Sequence, residues 1–286
     1  MGAGDASQIT RAAATVGALT IPYMKGGRGR PLLYLHGLSG GSRWDTFHIA
    51  LALTNTVYAP RLPGWPDGEI PAEISAVGDY ARVMIAFLDA VEIKQADLVG
   101  HSFGGWIALE LAALEPARFP KLVVLDPMGV EMRGAPAADL AAMDEDAFLR
   151  AAFVHTGVVA VRSDFGAILE DVRKGHEFEN QWKSRGIIAR LLRDRHADPE
   201  LLTKARAISA DTLIVWGRND ALVPCRHGEA LAAAIPKAQL ALIPEAGHTP
   251  MRERRETTQR LVRNFLLGAD FEDDAGLIVK SPPAAQ

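Results

Sequence analysis

Along most of the chain, short apolar runs alternate with longer segments of helical period. Pro31–Leu35, Thr56–Ala59, Ala96–Gly100 and Lys121–Asp126 have the length and apolar character of buried strands. Between them, Gly78–Val91 places Tyr80, Val83, Met84, Phe87, Leu88 and Val91 on one helical face, and Phe103–Glu115 predicts a helix that Pro116 stops. The alternation resumes near the C-terminus, with strands at Thr212–Trp216 and Gln239–Pro244 and helices at Arg226–Ile235 and Glu253–Leu267. Strands that are apolar on both faces and alternate with helices predict an α/β fold, with a mostly parallel central sheet flanked by helices.

The middle, Gly129 to Ile208, breaks this pattern. It shows no clear strand, is rich in Ala, Leu and Arg, and is interrupted by Gly157, Gly166, Gly175 and Gly186. Apolar anchors such as Phe148, Phe153, Phe178 and Trp182 argue against a linker, so the segment reads as a helical insertion between two halves of one sheet. The organisation expected is therefore core at 1–128, insertion at 129–208, core again at 209–268, and a polar, loosely docked tail at 269–286. Ala12–Met24 is apolar and follows Arg11, but no polar-then-small cleavage site comes after it, so it is read as an opening pair of strands.

Composition narrows the functional classes. The 286 residues are 48% hydrophobic and carry a net charge of −4, which lacks the basic footprint of a nucleic-acid binder. The longest stretch without Asp, Glu, Lys or Arg, Thr46–Pro60, is too short and too polar to span a bilayer, so no membrane partner is expected. A single cysteine, Cys225, excludes a disulfide framework and a Cys-based zinc site, and suits a cytoplasmic location. No histidine pair has H-E-x-x-H spacing, so no metal is expected, and nothing implies an organic cofactor. Homodimerisation is left open.

The chemistry concentrates at a few turns. Gly100-His101-Ser102-Phe103-Gly104 matches G-x-S-x-G, with Gly105 following, and it lies where a strand gives way to a helix. Such a turn strains the backbone and pushes the serine hydroxyl clear of the sheet, while Gly100 and Gly104 keep the neighbouring positions free of bulk. Serine needs a base and the base an orienting carboxylate. Of eight histidines, His248 lies just past the strand ending at Pro244, and Asp220 just past the one ending at Trp216. Both fall at carboxyl ends of strands, where ligands of open α/β sheets bind. Asp126 also ends a strand and is the alternative acid. The loop from His36 through Gly37 and Leu38 to Gly41 is the candidate second donor loop, with the Leu38 and Phe103 backbone N–H groups facing a developing oxyanion.

These residues carry a family resemblance. The HGLSGG loop, the turn Arg61-Leu62-Pro63-Gly64, GHSFGG, WGRNDALVP and PEAGH, in this order, resemble a capped α/β-hydrolase from about Val16 to Leu267. The resemblance implies the α/β-hydrolase fold, with a helical cap inserted after the sixth core strand. It also implies Ser102 as nucleophile, His248 as base and Asp220 as orienter. Relatives that use Asp at the elbow, such as haloalkane dehalogenases and epoxide hydrolases, are excluded by Ser102.

The function expected is therefore a serine hydrolase acting through an acyl-enzyme on an ester, or related acyl bond, of a small, largely apolar substrate. WGRNDALVP is also close to hydrolases that cleave carbon–carbon bonds of 2-hydroxy-6-keto dienoates. Many of those carry Trp after the histidine and Asn before the serine, where this chain has Thr249 and His101, so that activity is the alternative. A slow-turnover binding protein on the same fold is the reading from another class. His36 and His101 are expected to be hydrogen-bonded scaffold, and Cys225 a packing residue. His155, His176 and His196 are expected to be solvated, as are Arg185, Arg190 and Arg193, although one of these arginines could reach a substrate carboxylate. Phe103 and Trp106 are expected beside an apolar pocket.

Overall fold

The computed structural model describes residues 9–38, 40–41, 43–65, 70–140, 142–154, 197–269 and 278–280. In chain order the strands are β1 (Ile9–Val16), β2 (Leu19–Gly27), β3 (Arg30–Leu35), β4 (Asn55–Pro60), β5 (Asp97–His101), β6 (Lys121–Leu125), β7 (Gly129–Val130), β8 (Ala197–Asp198), β9 (Asp211–Gly217), β10 (Ala238–Ile243) and β11 (Ile278–Lys280). The helices are α1 (Thr46–Ala52), α2 (Val77–Ala90), α3 (Phe103–Leu114), α4 (Glu145–Ala152), α5 (Leu201–Ala205), α6 (Arg226–Ala234), α7 (Pro250–Glu253) and α8 (Arg255–Leu267). None of the described helices is long and apolar enough to cross a membrane.

Nine strands form one sheet in the order β1-β2-β4-β3-β5-β6-β9-β10-β11. The block from β4 to β10 is parallel, and the antiparallel pairs lie at its edges. Alternate residues of each inner strand feed two cores. Leu33, Leu35, Leu98, Leu122, Val124, Ile214 and Trp216 pack under α2, α3, α5 and α6. Leu32, Tyr34, Val99, Val123, Leu125, Leu213 and Val215 pack under α1 and α8. Burying one Leu or Val contributes about 1.5–3 kcal/mol. An exposed pair such as Lys237–Asp211, 3.5 Å apart with both side chains 61% exposed, contributes about 0–1 kcal/mol. The two apolar layers therefore decide the fold.

Four features differ from the sequence expectation. α1 gave no periodic signal because it is only seven residues long; Asp45 caps it, its carboxylate accepting from Phe47 N (3.0 Å) and His48 N (3.1 Å). The closing helix is two, since Arg254 takes φ −124° and separates α7 from α8. The middle segment does contain strand, because β7 and β8 pair in parallel at its two ends. The tail is not wholly loose, because β11 adds an antiparallel edge to β10. Within the middle segment, residues 155–196 lie outside the described residues, and with them His155, His176, Arg185, Arg190, Arg193 and His196.

Packing is close where α3 begins. A Cβ on Gly104 would overlap Leu35 O and lie 2.5 Å from His36 O, so α3 can start over β3 only with glycine here. Gly104→Ala is expected to lower stability by about 1–3 kcal/mol or more, seen as a lower urea midpoint at unchanged m-value.

Candidate active site

β5 delivers the chain to Ser102, which takes φ 54° and ψ −118° before α3 begins. This left-handed backbone is costly for a residue with a Cβ and persists only where its surroundings hold it. Here Ser102 N donates to Leu125 O (2.9 Å), and Ser102 O accepts from Trp106 N and Met128 N (3.1 Å each). Helix α3 and the end of β6 thus pin the turn from two sides. The glycines around it are the close approaches. A Cβ on Gly100 would overlap Gly104 O, one on Gly105 would lie 2.8 Å from Pro127 Cβ, and one on Gly37 would lie 2.8 Å from His101 Nδ1.

The loops after β9 and β10 bring Asp220 and His248 to the same place. Ser102 Oγ lies 2.7 Å from His248 Nε2, and His248 Nδ1 lies 2.7 Å from Asp220 Oδ2. All three residues are buried. A carboxylate only accepts, so Nδ1 carries the ring proton and Nε2 turns a lone pair toward the Ser102 hydroxyl. Asp220 Oδ1 accepts from Leu222 N (2.8 Å) and Val223 N (3.0 Å). Arg218 N to Ile243 O and Asn219 N to Ala246 O, both 2.9 Å, suture the two loops together.

Asp126 lies in the same cluster but plays a different part. It is fully buried at φ 43°, and its Oδ1 accepts from Gly217 N at 2.8 Å. Its Oδ2 has no N–H or hydroxyl partner and faces the Asp220 carboxylate. Burial first, and then the charge of Asp220, push the Asp126 carboxyl well above the usual carboxylate range. Two buried carboxyls in contact cannot both ionise, so Asp126 is the protonated one. Asp126, Asp220 and His248 each offer an atom within 4.8 Å of the others. The imidazole nitrogen on that side already holds a proton toward Asp220, which makes the trio a proton-sharing cluster rather than a cation site.

The other two histidines near Ser102 are occupied. His101 Nε2–H donates to His248 O (2.8 Å), and burial, then the His248 charge, push its pKa down to about 3. His36 Nδ1–H donates to Gly37 O (2.7 Å), its Nε2 accepts from Leu62 N (3.0 Å), and burial pushes its pKa down to about 4. The His248 loop is also tied to α4, since His248 N donates to Ala152 O at 2.8 Å. Glu253 bridges the same elements, its carboxyl accepting from Gly247 N (2.8 Å) and Val154 N (2.9 Å). Burial pushes the Glu253 pKa up to about 7. Cys225 is half-buried at the start of α6, with its thiol pushed up by burial.

Ser102 and His248 open on a mostly apolar pocket. Leu38 lines it, and neither the Leu38 nor the Phe103 backbone N–H has a partner among the described residues. Phe103 and Trp106 do not wall it, contrary to expectation. Phe103 stacks on Trp65 at 5.5 Å, and Trp106 Nε1 turns to Glu110 at 3.4 Å. The wall is Met128, Leu140, Phe148, Phe153, Leu222 and Val223, with Thr249 and Arg252. Leu222, Val223, Thr249 and Arg252 follow Asp220 or His248 within four residues, and that adjacency was the available signal.

A model of the alpha/beta hydrolase family matches residues 32–260. The chain is 31% identical over 252 residues to 2-hydroxymuconate semialdehyde hydrolase of Pseudomonas sp. (strain CF600), covering 85% of this chain and 89% of that one. Among solved structures it resembles a membrane phospholipase A described as a novel bacterial virulence factor (TM-score 0.75, 25% identity, 91% of this chain, 86% of that one). It also shares the fold of 2-hydroxy-6-oxo-6-phenylhexa-2,4-dienoate hydrolase from Rhodococcus sp. strain RHA1 (TM-score 0.73, 20% identity, 91% and 99% covered).

The cluster separates the two acids experimentally. In proton NMR, the far-downfield resonance of the His248 Nδ1 proton is expected to persist in Asp126→Asn, which exchanges one neutral group for another. It is expected to vanish in Asp220→Asn. The reverse outcome would transfer the pairing to Asp126.

Proposed function

The chain belongs to the alpha/beta hydrolase family and is a hydrolase, and from that premise we propose that it cleaves carboxylic esters of small, largely apolar substrates through an acyl-enzyme. The observation that carries this reading is the unbroken series from Ser102 Oγ through His248 to Asp220, with 2.7 Å at each step. His248 Nε2 takes the Ser102 proton as Oγ attacks the ester carbonyl. The carbonyl oxygen becomes an oxyanion between the Leu38 and Phe103 N–H groups, at the start of α3 where the helix dipole favours negative charge. His248 then gives its proton to the departing alkoxide, leaving the acyl group on Ser102. Water, deprotonated by the same nitrogen, attacks the acyl carbon; the tetrahedral intermediate expels Ser102 Oγ, which recovers its proton from His248. Asp220 keeps the imidazole in the required tautomer throughout.

The segment 129–208 is assigned to the cap. Its described part supports this, since Leu140, Phe148 and Phe153 face the pocket from above the sheet ends while β7 and β8 close its base. The apolar wall suits an acyl or aryl group of modest size. A second reading, hydrolysis of a carbon–carbon bond in a 2-hydroxy-6-keto dienoate, is favoured by the 31% identity to 2-hydroxymuconate semialdehyde hydrolase. The same nucleophile and base would serve it.

A panel of p-nitrophenyl esters of graded chain length, run beside a 2-hydroxy-6-keto dienoate, separates the readings. Saturable ester cleavage with little dienoate turnover is expected, and the opposite ranking establishes the second reading. Ser102→Ala is expected to lower kcat by about 10⁴–10⁶-fold with an unchanged circular dichroism spectrum. Near-wild-type turnover in that variant would overturn the acyl-enzyme mechanism.

A further inference from the structure

The pocket wall changes character along the turn after His248. Most of it is apolar, but Thr249 and Arg252 also line it. Thr249 is 6% exposed and its Oγ1 makes no hydrogen bond. Arg252 makes no side-chain hydrogen bond or ion pair among the described residues. Its neighbour Arg254, by contrast, donates to Glu245 O at 3.2 Å and pairs with the Glu245 carboxylate.

The groups that sense the charge of Arg252 do not satisfy it. His101 is neutral, and Tyr34 is a buried phenol. Asp45 feels the cation too, but its carboxylate is committed to His48 Nδ1 at 2.7 Å and to the first backbone N–H groups of α1. Glu253, next in sequence, turns its carboxyl to Gly247 N and Val154 N instead. The buried Thr249 hydroxyl is unfavourable until something pairs with it, and the half-buried Arg252 beside it has no paired counter-charge among the described residues. An alkyl ester with no polar terminus would leave both unpaired.

We infer that Thr249 and Arg252 form a carboxylate subsite, so that the substrate is a half-acid: apolar in its body, with an ester at Ser102 and an anionic group at this turn. The inference rests on the hydrolase reading in placing the ester at Ser102. The guanidinium presents two parallel N–H donors, a geometry that matches a carboxylate. Thr249 O–H supplies a third donor. Because the subsite begins one residue past His248, it fixes the anion close to the scissile bond.

Two matched ester pairs locate the anion: p-nitrophenyl hydrogen adipate against p-nitrophenyl hexanoate for the acyl side, and 4-acetoxybenzoate against 4-acetoxybenzamide for the leaving group. The ratio of kcat/KM, charged over neutral, is expected to fall about 10- to 100-fold in Arg252→Met for one of the pairs. A smaller fall is expected in Thr249→Val, and partial recovery in Arg252→Lys. Equal losses on charged and neutral members of both pairs would overturn the subsite. Calorimetric titration of Ser102→Ala with monomethyl adipate and with methyl hexanoate reads the subsite without turnover. Tighter binding of the half-acid, lost when Arg252→Met is added, supports it, while equal binding or no binding of either overturns it. Wild-type protein that cleaves no ester yet binds the half-acid through Arg252 would overturn the ester reading and leave the subsite standing.

Discussion

The site depends on one constrained residue, Ser102, held at φ 54° between the end of β5 and the start of α3. That backbone is unfavourable for serine and is maintained by hydrogen bonds to Leu125 O, Trp106 N and Met128 N. It turns the hydroxyl off the sheet and toward His248. It also requires α3 to depart so close to β3 that residue 104 can carry no side chain. Rigidity comes from below, where the inner strands are apolar on both faces and clamped between two helical layers. A looser sheet would let the turn relax into an ordinary conformation and withdraw the hydroxyl from its partner.

The same logic extends to the neighbouring loops. In a parallel sheet every strand ends on the same side, so the loops after β3, β5, β6, β9 and β10 crowd one rim. Crowding alone would not set a 2.7 Å contact. The backbone bonds from Arg218 and Asn219 to the β10 loop make the acid and base loops one unit. His248 N to Ala152 O, with the Glu253 bridge to Val154, then ties that unit to α4. The element that walls the pocket is therefore registered to the residue that would move the proton.

Much of this was legible in the sequence, for reasons that vary by residue. The central strands and α2, α3, α6 and α8 announced themselves because buried parallel strands are continuous apolar runs and amphipathic helices keep one face. Ser102, Asp220 and His248 were legible because each sits in a turn whose glycines and position relative to a strand are themselves constrained. α1 was not, since seven residues capped by Asp45 carry too few periods to detect. β7 and β8 were missed because two-residue strands exist only by pairing with each other, here over a long sequence separation. The pocket wall was the least legible part. Phe103 and Trp106 looked like lining residues by proximity in sequence, yet α3 turns both away toward Trp65 and Glu110, while Phe148 and Phe153 arrive from the insertion.

Burial and donor count together distinguish Asp220 from Asp126, the two buried carboxyls of the cluster, and from the half-buried Glu253 beside them. The charge of Asp220 raises the cost of ionising both Asp126 and Glu253. Asp126 receives one backbone N–H and faces another carboxylate, so its charged form is the most exposed to repulsion and the least compensated. Glu253 is less deeply buried and receives N–H groups from Gly247, Val154 and Thr249, so its pKa rises only to about 7. Asp220 collects two backbone N–H groups and the His248 ring. Charge-assisted hydrogen bonds are about twice as strong as neutral ones, so of the two fully buried carboxyls Asp220, with three donors, is better compensated for negative charge than Asp126, with one. A protonated Asp126 beside it withdraws competition for that charge. In the proposed mechanism, an imidazolium formed at His248 would meet its counter-ion at Nδ1, opposite the serine, where it stabilises the charged ring without taking its place at the hydroxyl.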